Sequence, residues 1–353
     1  MGDPHLTYPE AIVVGLLQGV TELFPVSSLG HSVLIPALIG GRWARDLSLT
    51  ADKSPYLTFL VAVHVATAIA LVIFFRRDWV RIVVGLFTSV RDRRISNPDQ
   101  RLAWLLLVAT VPVGIAGVAL DHAVRTSLGK PVPASVFLIL NGAVLATVER
   151  LRRRANPTAT PRATRWAMRR GPVPVASPPG LRQRGQVHAA SGYRAGGDPD
   201  IDGTGGRGVS AGHGHDADAA VASDHRLAQQ SWAQGLFVGA AQILALFPGI
   251  SRSGATMAAG LLRGLSHEDA ARFAFLLATP VIAGAGLLKL PELAGPTGHS
   301  ILGQVLVGSL VAGIAAYLSL RFLTRYFETR TLNPFAIYCL IAGAVSLVWT
   351  TLA

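Results

Sequence analysis

The chain has 353 residues, of which 50% are hydrophobic and 15% charged, and its mean hydropathy is +0.43. Such a composition is too apolar for an ordinary soluble domain and points to an all-α polytopic membrane protein. The net charge of +12 does not mark a nucleic-acid binder, because the arginines lie in loops between apolar runs and no aromatic–basic platform accompanies them.

Cys339 is the single cysteine and lies in an apolar run, which excludes a disulfide framework and a cysteine-based metal site. The first residues, MGDPHLTYPE, contain acids and no basic segment, so a cleaved signal peptide is not expected.

Ala11 to Phe24 is an apolar helical run too short for a bilayer core that needs roughly 20 residues. Pro25 breaks it, since proline has no N–H and restricts the residue before it. A second short run continues to Gly40, so residues 11–40 predict a re-entrant hairpin. The plain alternative is one proline-kinked span. Full spans are predicted at 57–75, 102–120 and 132–148. Between the first two, Trp79 to Val90 has the pattern of an interfacial helix.

Residues 151–230, and 156–229 in particular, are rich in Pro, Gly, Arg, Ala and His without sustained periodicity. They predict a disordered cytoplasmic insertion that cannot bury enough apolar surface to fold alone. His213, His215, Asp216 and Asp218 in it can be drawn as a metal site, but short tracts of this kind are usually solvated. A second hairpin follows at 232–265, broken at Pro248-Gly249, and then spans at 271–288, 301–320 and 334–352.

Basic loops at 76–101, 150–230 and 321–330 belong on the cytoplasmic side, which leaves both termini outside. Residues 1–150 and 231–353 then form two membrane repeats, each one hairpin plus three spans. An odd number of spans inverts the second copy. Inverted-topology repeats with broken helices place their site near the midplane, where the breaks meet. The two breaks are GLLQGVTELFPVSSLGHS from Gly15 and VGAAQILALFPGISRSGAT from Val238; aligning Phe24-Pro25 with Phe247-Pro248 also pairs Ser28 with Ser251.

Gln18 and Glu22 share one helix face, and Gly15 and Gly19 admit a close helix neighbour. Glu22 in such a run needs a cation, a metal or a wet cavity, because a carboxylate at that depth costs about 2.5–3.5 kcal/mol. One of Ser27 and Ser28 is expected to cap the next helix, and His31 falls in its first turn. Gly249 and Gly254 free the backbone around Ser251, Arg252 and Ser253, where another helix begins. Helix N-termini bind phosphate through free N–H groups, and arginine adds a planar fork for phosphoryl oxygens. Glu22 alone could neutralise Arg252, but the hydroxyls and amides would then lack a role, so a phosphate pocket is the leading reading. His64 reads as a packed or helix-bridging histidine.

Both breaks resemble motifs of the undecaprenyl-diphosphate phosphatase, or bacitracin-resistance protein, family. The first is carried by Gln18, Glu22, Pro25, Ser27, Ser28, Gly30 and His31. The second runs from Pro248 to Thr256, with support from RFAFLLATP at 272–280 and NPFAIY from Asn333. The resemblance covers roughly 1–150 and 230–353. It implies a multi-pass bacterial plasma-membrane enzyme that hydrolyses undecaprenyl diphosphate to undecaprenyl phosphate and inorganic phosphate. That reaction recycles the lipid carrier for cell-wall synthesis and confers bacitracin resistance.

The resemblance further implies Glu22, Ser28, His31 and Arg252 as catalytic residues. Ser27, Gly249, Ser251, Ser253 and Thr256 join Arg252 as phosphate-binding positions, in a cavity open to the outside. His31 is left as nucleophile, or as base for Ser28 or for water. Mg²⁺ or Ca²⁺ is expected, held by Glu22 and Gln18, although glutamine at position 18 removes one charged ligand. The expected partners are a polyprenyl diphosphate lipid and membrane lipids, with no nucleic acid; a homodimer is compatible with the sequence. Competing readings are a polyprenyl-phosphate transporter or flippase, which the architecture alone favours, and an intramembrane serine protease.

Overall fold

The computed structural model describes residues 6–47, 55–123, 128–155, 211–293, 295 and 299–352. One compact unit comprises 1–159 and 221–353; of the other, 160–220, only 211–220 is described. Every regular element among the described residues is helical.

The first apolar run is α1 (Tyr8–Thr21), followed after the Pro25 break by α2 (Ser28–Ile39) and a short α3 (Gly41–Asp46). Next come α4 (Pro55–Phe74), α5 (Arg76–Asp92), α6 (Pro98–Ala123) and α7 (Pro131–Ala155). α8 is Ala211–Ala228. The second broken run is α9 (Trp232–Ala240), a 3₁₀ turn at Ala241–Leu246, and α10 (Arg252–Leu262). The chain closes with α11 (His267–Leu293), α12 (Leu302–Phe327) and α13 (Asn333–Leu352).

Six of these helices, α4, α6, α7, α11, α12 and α13, are long and apolar enough to cross a membrane. Several overrun the predicted spans, because hydropathy marks only their apolar middles while charged residues such as Arg152–Arg154 and Arg325 continue the helix. α5 occupies the stretch read as interfacial. It turns Ile82, Gly85 and Ser89 inward and leaves Val80, Val84, Phe87 and Val90 exposed.

α1 packs on α12, α9 on α6, α4 on α11 and α7 on α13. Gly15 and Gly19 lie directly against the backbone of Gly308 and Ala312, so a side chain at either position would collide with a carbonyl oxygen. This is the close helix approach that their spacing predicts.

The expected insertion requires correction at its end. Residues 156–210 lie outside the described residues, as do the side chains of His213, His215 and Asp216, but 211–228 form α8. Within it Ser223, Asp224, Leu227 and Ala228 are buried. Half of the inward face of α8 is polar, and ion pairing adds to the packing of Leu227 and Ala228 in anchoring it. Asp224 receives Arg81 at 2.5 Å and Arg272 at 2.7 Å, Asp78 also receives both arginines, and Arg226 holds Asp269 at 2.7 Å. A hydropathy pattern cannot detect a helix buried through its carboxylates.

Removing one partner of a buried ion pair costs about 3–5 kcal/mol, less where another partner remains. Asp78 still serves both arginines in Asp224→Ala, so a loss of roughly 2 kcal/mol is expected. A melt in detergent should show a midpoint lowered by several degrees; an unchanged midpoint would mean α8 is not anchored this way.

Candidate active site

The two helix breaks meet and are stitched together by buried polar groups. Ser27 sits at the first break with φ of 72°, a left-handed conformation that few residues other than glycine adopt. Its side-chain oxygen caps α2 by accepting the Gly30 N–H at 3.2 Å, and accepts the Gly249 N–H of the second break, also at 3.2 Å. Gly249 has φ of +110°, and a Cβ there would lie 2.6 Å from the Leu138 nitrogen, so neither the conformation nor the space admits a side chain.

Asn141, from the middle of α7, bridges the breaks. Its amide nitrogen donates to the Pro25 carbonyl at 3.0 Å and its oxygen accepts the Ser251 N–H at 3.1 Å. Ser251 caps α10 by accepting from the Gly254 N–H, and its hydroxyl and that of Ser253 lie 3.3 and 3.2 Å from the Phe24 carbonyl. The N–H groups of Arg252 and Ser253, in the first turn of α10, have no acceptor among the described residues.

Glu22 is the centre of this arrangement, with its side chain 3% exposed. One carboxylate oxygen pairs with the Arg252 guanidinium. The other accepts the Ser28 hydroxyl at 2.5 Å and the Gln18 amide at 3.0 Å, and faces His64 Nε2 at 3.4 Å. Arg252 and His64 are themselves 20% and 26% exposed, so Glu22 is reached past these two side chains. Such pairing offsets the desolvation of an ionised carboxylate.

His31 lies one turn beyond Ser28 on α2 and is buried. Its Nδ1 is 2.7 Å from the Ser27 carbonyl and its Nε2 is 2.7 Å from the Tyr338 hydroxyl. A narrow cleft bordered by Val14, Leu17, Ser32, Trp43 and Tyr56 reaches the ring.

The structure thus joins Gln18, Glu22, Ser28 and Arg252 by direct contacts and keeps His31 beside them with different partners. Ser27, Ser251 and Ser253 spend their hydroxyls on the junction, and Thr256 donates back to the Arg252 carbonyl at 2.8 Å. His64, Asn141 and Tyr338 were not among the expected site residues. Asn141 carried a usable signal, as a lone amide in an apolar span. His64 carried less, and Tyr338 none beyond its place in NPFAIY. The Gln18 Oε1 atom is buried without a partner, and among the described residues no three His, Cys, Asp or Glu side chains converge on a metal site.

A bundle of membrane-length helices enclosing a buried carboxylate, a guanidinium, hydroxyls and a histidine where two interrupted helices meet defines a multi-pass membrane protein with a polar internal site. The chain belongs to the family described as bacitracin resistance protein BacA, whose pattern matches residues 11–172 and 212–345. It is 56% identical over 348 residues, 99% of each chain, to a protein of Mycolicibacterium paratuberculosis named undecaprenyl-diphosphatase. A Frankia casuarinae protein named undecaprenyl-diphosphatase 1 is 53% identical over 97% of this chain and 98% of its own. Undecaprenyl-diphosphatase 2 of Chromobacterium violaceum is 36% identical over 96% and 98% respectively.

Removing the Asn141 amide strands the Ser251 N–H, at a cost of about 1–3 kcal/mol for a buried group left unpaired, and leaves the Pro25 carbonyl only the weak Cys339 thiol at 3.7 Å. Asn141→Ala should therefore lower the melting midpoint. Asn141→Asp keeps an acceptor for Ser251 but sets a carboxyl oxygen against the Pro25 carbonyl, so it should not recover the loss. Equal stability of all three proteins would remove the bridging role.

Proposed function

We propose that this protein is an undecaprenyl-diphosphate phosphatase of the bacterial plasma membrane, releasing inorganic phosphate and the lipid monophosphate that carries cell-wall precursors. Its relatives' names support the reaction. The observation that carries it to these residues is Arg252 at the start of α10, beside free N–H groups and bonded to a carboxylate that also holds a serine hydroxyl.

Phosphoryl transfer depends mainly on positioning and on stabilising charge at the equatorial oxygens. Arg252 and the first amides of α10 bind the terminal phosphate. The Ser28 oxygen attacks phosphorus and its proton passes to Glu22. The bond to the bridging oxygen breaks, and undecaprenyl phosphate leaves with the electron pair. Water, giving its proton to His31 Nε2, then attacks the phosphoserine, and Ser28 leaves with the proton returned by Glu22. Of the three roles the sequence leaves to His31, activation of water suits this geometry, because the Ser28 hydroxyl is already committed to Glu22.

Glu22 and the unpaired Gln18 Oε1, both hard oxygen donors, would hold Mg²⁺ or Ca²⁺. When bound it would neutralise charge on the phosphoryl oxygens.

The inverted repeat with two re-entrant hairpins belongs to the same proposal. Its support is reciprocal packing: the first short helix of each half lies on the second span of the other, and first pairs with first and third with third among the remaining spans. The termini and the head-group cavity then face outward, with the insertion in the cytoplasm. Transport without hydrolysis would use the same architecture, and phosphate release separates the two.

Phosphate release from undecaprenyl diphosphate by the purified protein should fall at least about 100-fold in Arg252→Ala. In His31→Ala, phosphoserine should accumulate at Ser28. Wild-type turnover by well-folded Arg252→Ala would refute the assignment, and absence of release from wild-type protein would favour transport. EDTA should abolish release and added Mg²⁺ or Ca²⁺ restore it; full activity in EDTA would remove the cation.

A further inference from the structure

The hydrogen bonds around His31 determine more than its location. The Ser27 carbonyl can only accept, so His31 Nδ1 carries the hydrogen and donates it. In the neutral ring Nε2 is then the lone-pair atom, and the group facing it is the Tyr338 hydroxyl, which donates. The two rings lie nearly parallel, 11° apart with centroids 5.7 Å apart. His31 is 6% exposed, whereas Tyr338 is 46% exposed. Tyr338 therefore reaches from the surface of α13 to cover the one basic atom of a buried imidazole, across 307 residues of sequence. Its neighbour Cys339 points the other way, into the junction, where it receives the Asn141 amide at 3.3 Å.

We propose that Tyr338 is a positioning residue for the phosphatase reaction: its hydroxyl fixes the His31 tautomer and direction and gives up Nε2 to the attacking water. This rests on the proposed reaction for its consequence and on the observed hydrogen bonds for its geometry. It assigns the tyrosine to the second step, hydrolysis of the phosphoserine, and not to its formation. Before that step Nε2 is occupied; during it the Tyr338 hydroxyl moves aside or rebinds as acceptor to the protonated ring. The exposed position of Tyr338 leaves room for that movement, which the buried Ser27 partner does not have.

Tyr338→Phe keeps the ring and deletes the donor. Turnover should fall roughly 10-fold, a part of what a well-placed base contributes, and KM should fall with it, leaving kcat/KM nearly unchanged because the first step is untouched. Phosphoserine at Ser28 should rise above the wild-type level, because only the second step is slowed. Carbethoxylation of His31 by diethyl pyrocarbonate, which requires the free Nε2 lone pair, should become faster when followed on the His31 peptide by mass spectrometry. Tyr338→Leu should show the same faster labelling, so the test survives if one variant folds poorly.

Wild-type turnover by Tyr338→Phe would overturn the inference. So would slower turnover without phosphoserine accumulation and without faster labelling, which is what a purely structural role would give. The labelling needs no turnover. Failure of the phosphatase reading would appear as no phosphate release by wild-type protein, whatever the labelling shows.

Discussion

The arrangement of this protein depends on one buried carboxylate. Glu22 has four partners, and they come from different parts of the chain: Gln18 from its own helix, Ser28 from across the first break, His64 from α4 and Arg252 from α10. An ionised carboxylate buried without such partners would cost several kcal/mol. The requirement is mutual, since Arg252 sits in an otherwise uncharged helix pair and needs an anion as much as Glu22 needs a cation. Satisfying both brings the end of α1 and the start of α10 together, with 230 residues between them in sequence.

A close approach of two interrupted helices exposes backbone groups that no regular helix can pair, and the junction accounts for many of them. Ser27 accepts from its own helix and from the opposite break, Asn141 serves one break as donor and the other as acceptor, and two serine hydroxyls cover the Phe24 carbonyl. The left-handed backbone at Ser27 represents about 1–3 kcal/mol of strain that the surrounding bonds hold in place. The serines expected as direct phosphate ligands are thereby used to hold the frame of the junction. What remains open to a ligand is Arg252 and the first N–H groups of α10.

The sequence made the apolar spans and the two broken runs legible, because hydropathy and proline act locally. Gln18, Glu22 and Arg252 were legible as well, since a charge or amide in an apolar run requires a partner. α8 was not, because half of its buried face is Asp224 and Ser223, and only Arg81, Arg272 and Asp269, distant in sequence, make that burial favourable. Tyr338 was obscured for a related reason: it is an ordinary residue in an ordinary span until the fold brings an imidazole to it. His64 was legible as a helix-bridging histidine, but not which carboxylate it faces. The division of labour among the serines was also hidden, since spacing cannot tell a hydroxyl that caps a helix from one that faces a ligand.

The pairing at Glu22 bears on the order of events in the proposed reaction. Arg252 is the more exposed member of the pair, and a diphosphate offers its guanidinium several charged oxygens in place of one. A substrate that draws Arg252 toward itself leaves Glu22 with Ser28, Gln18 and His64, and so with less cationic company, at the moment when Ser28 must lose its proton. Substrate binding and activation of the nucleophile are then one exchange of partners at a single carboxylate. The same exchange explains how a site so fully paired internally can still admit a highly charged head group: the incoming anion replaces an interaction already made instead of requiring a vacant charge to be kept buried.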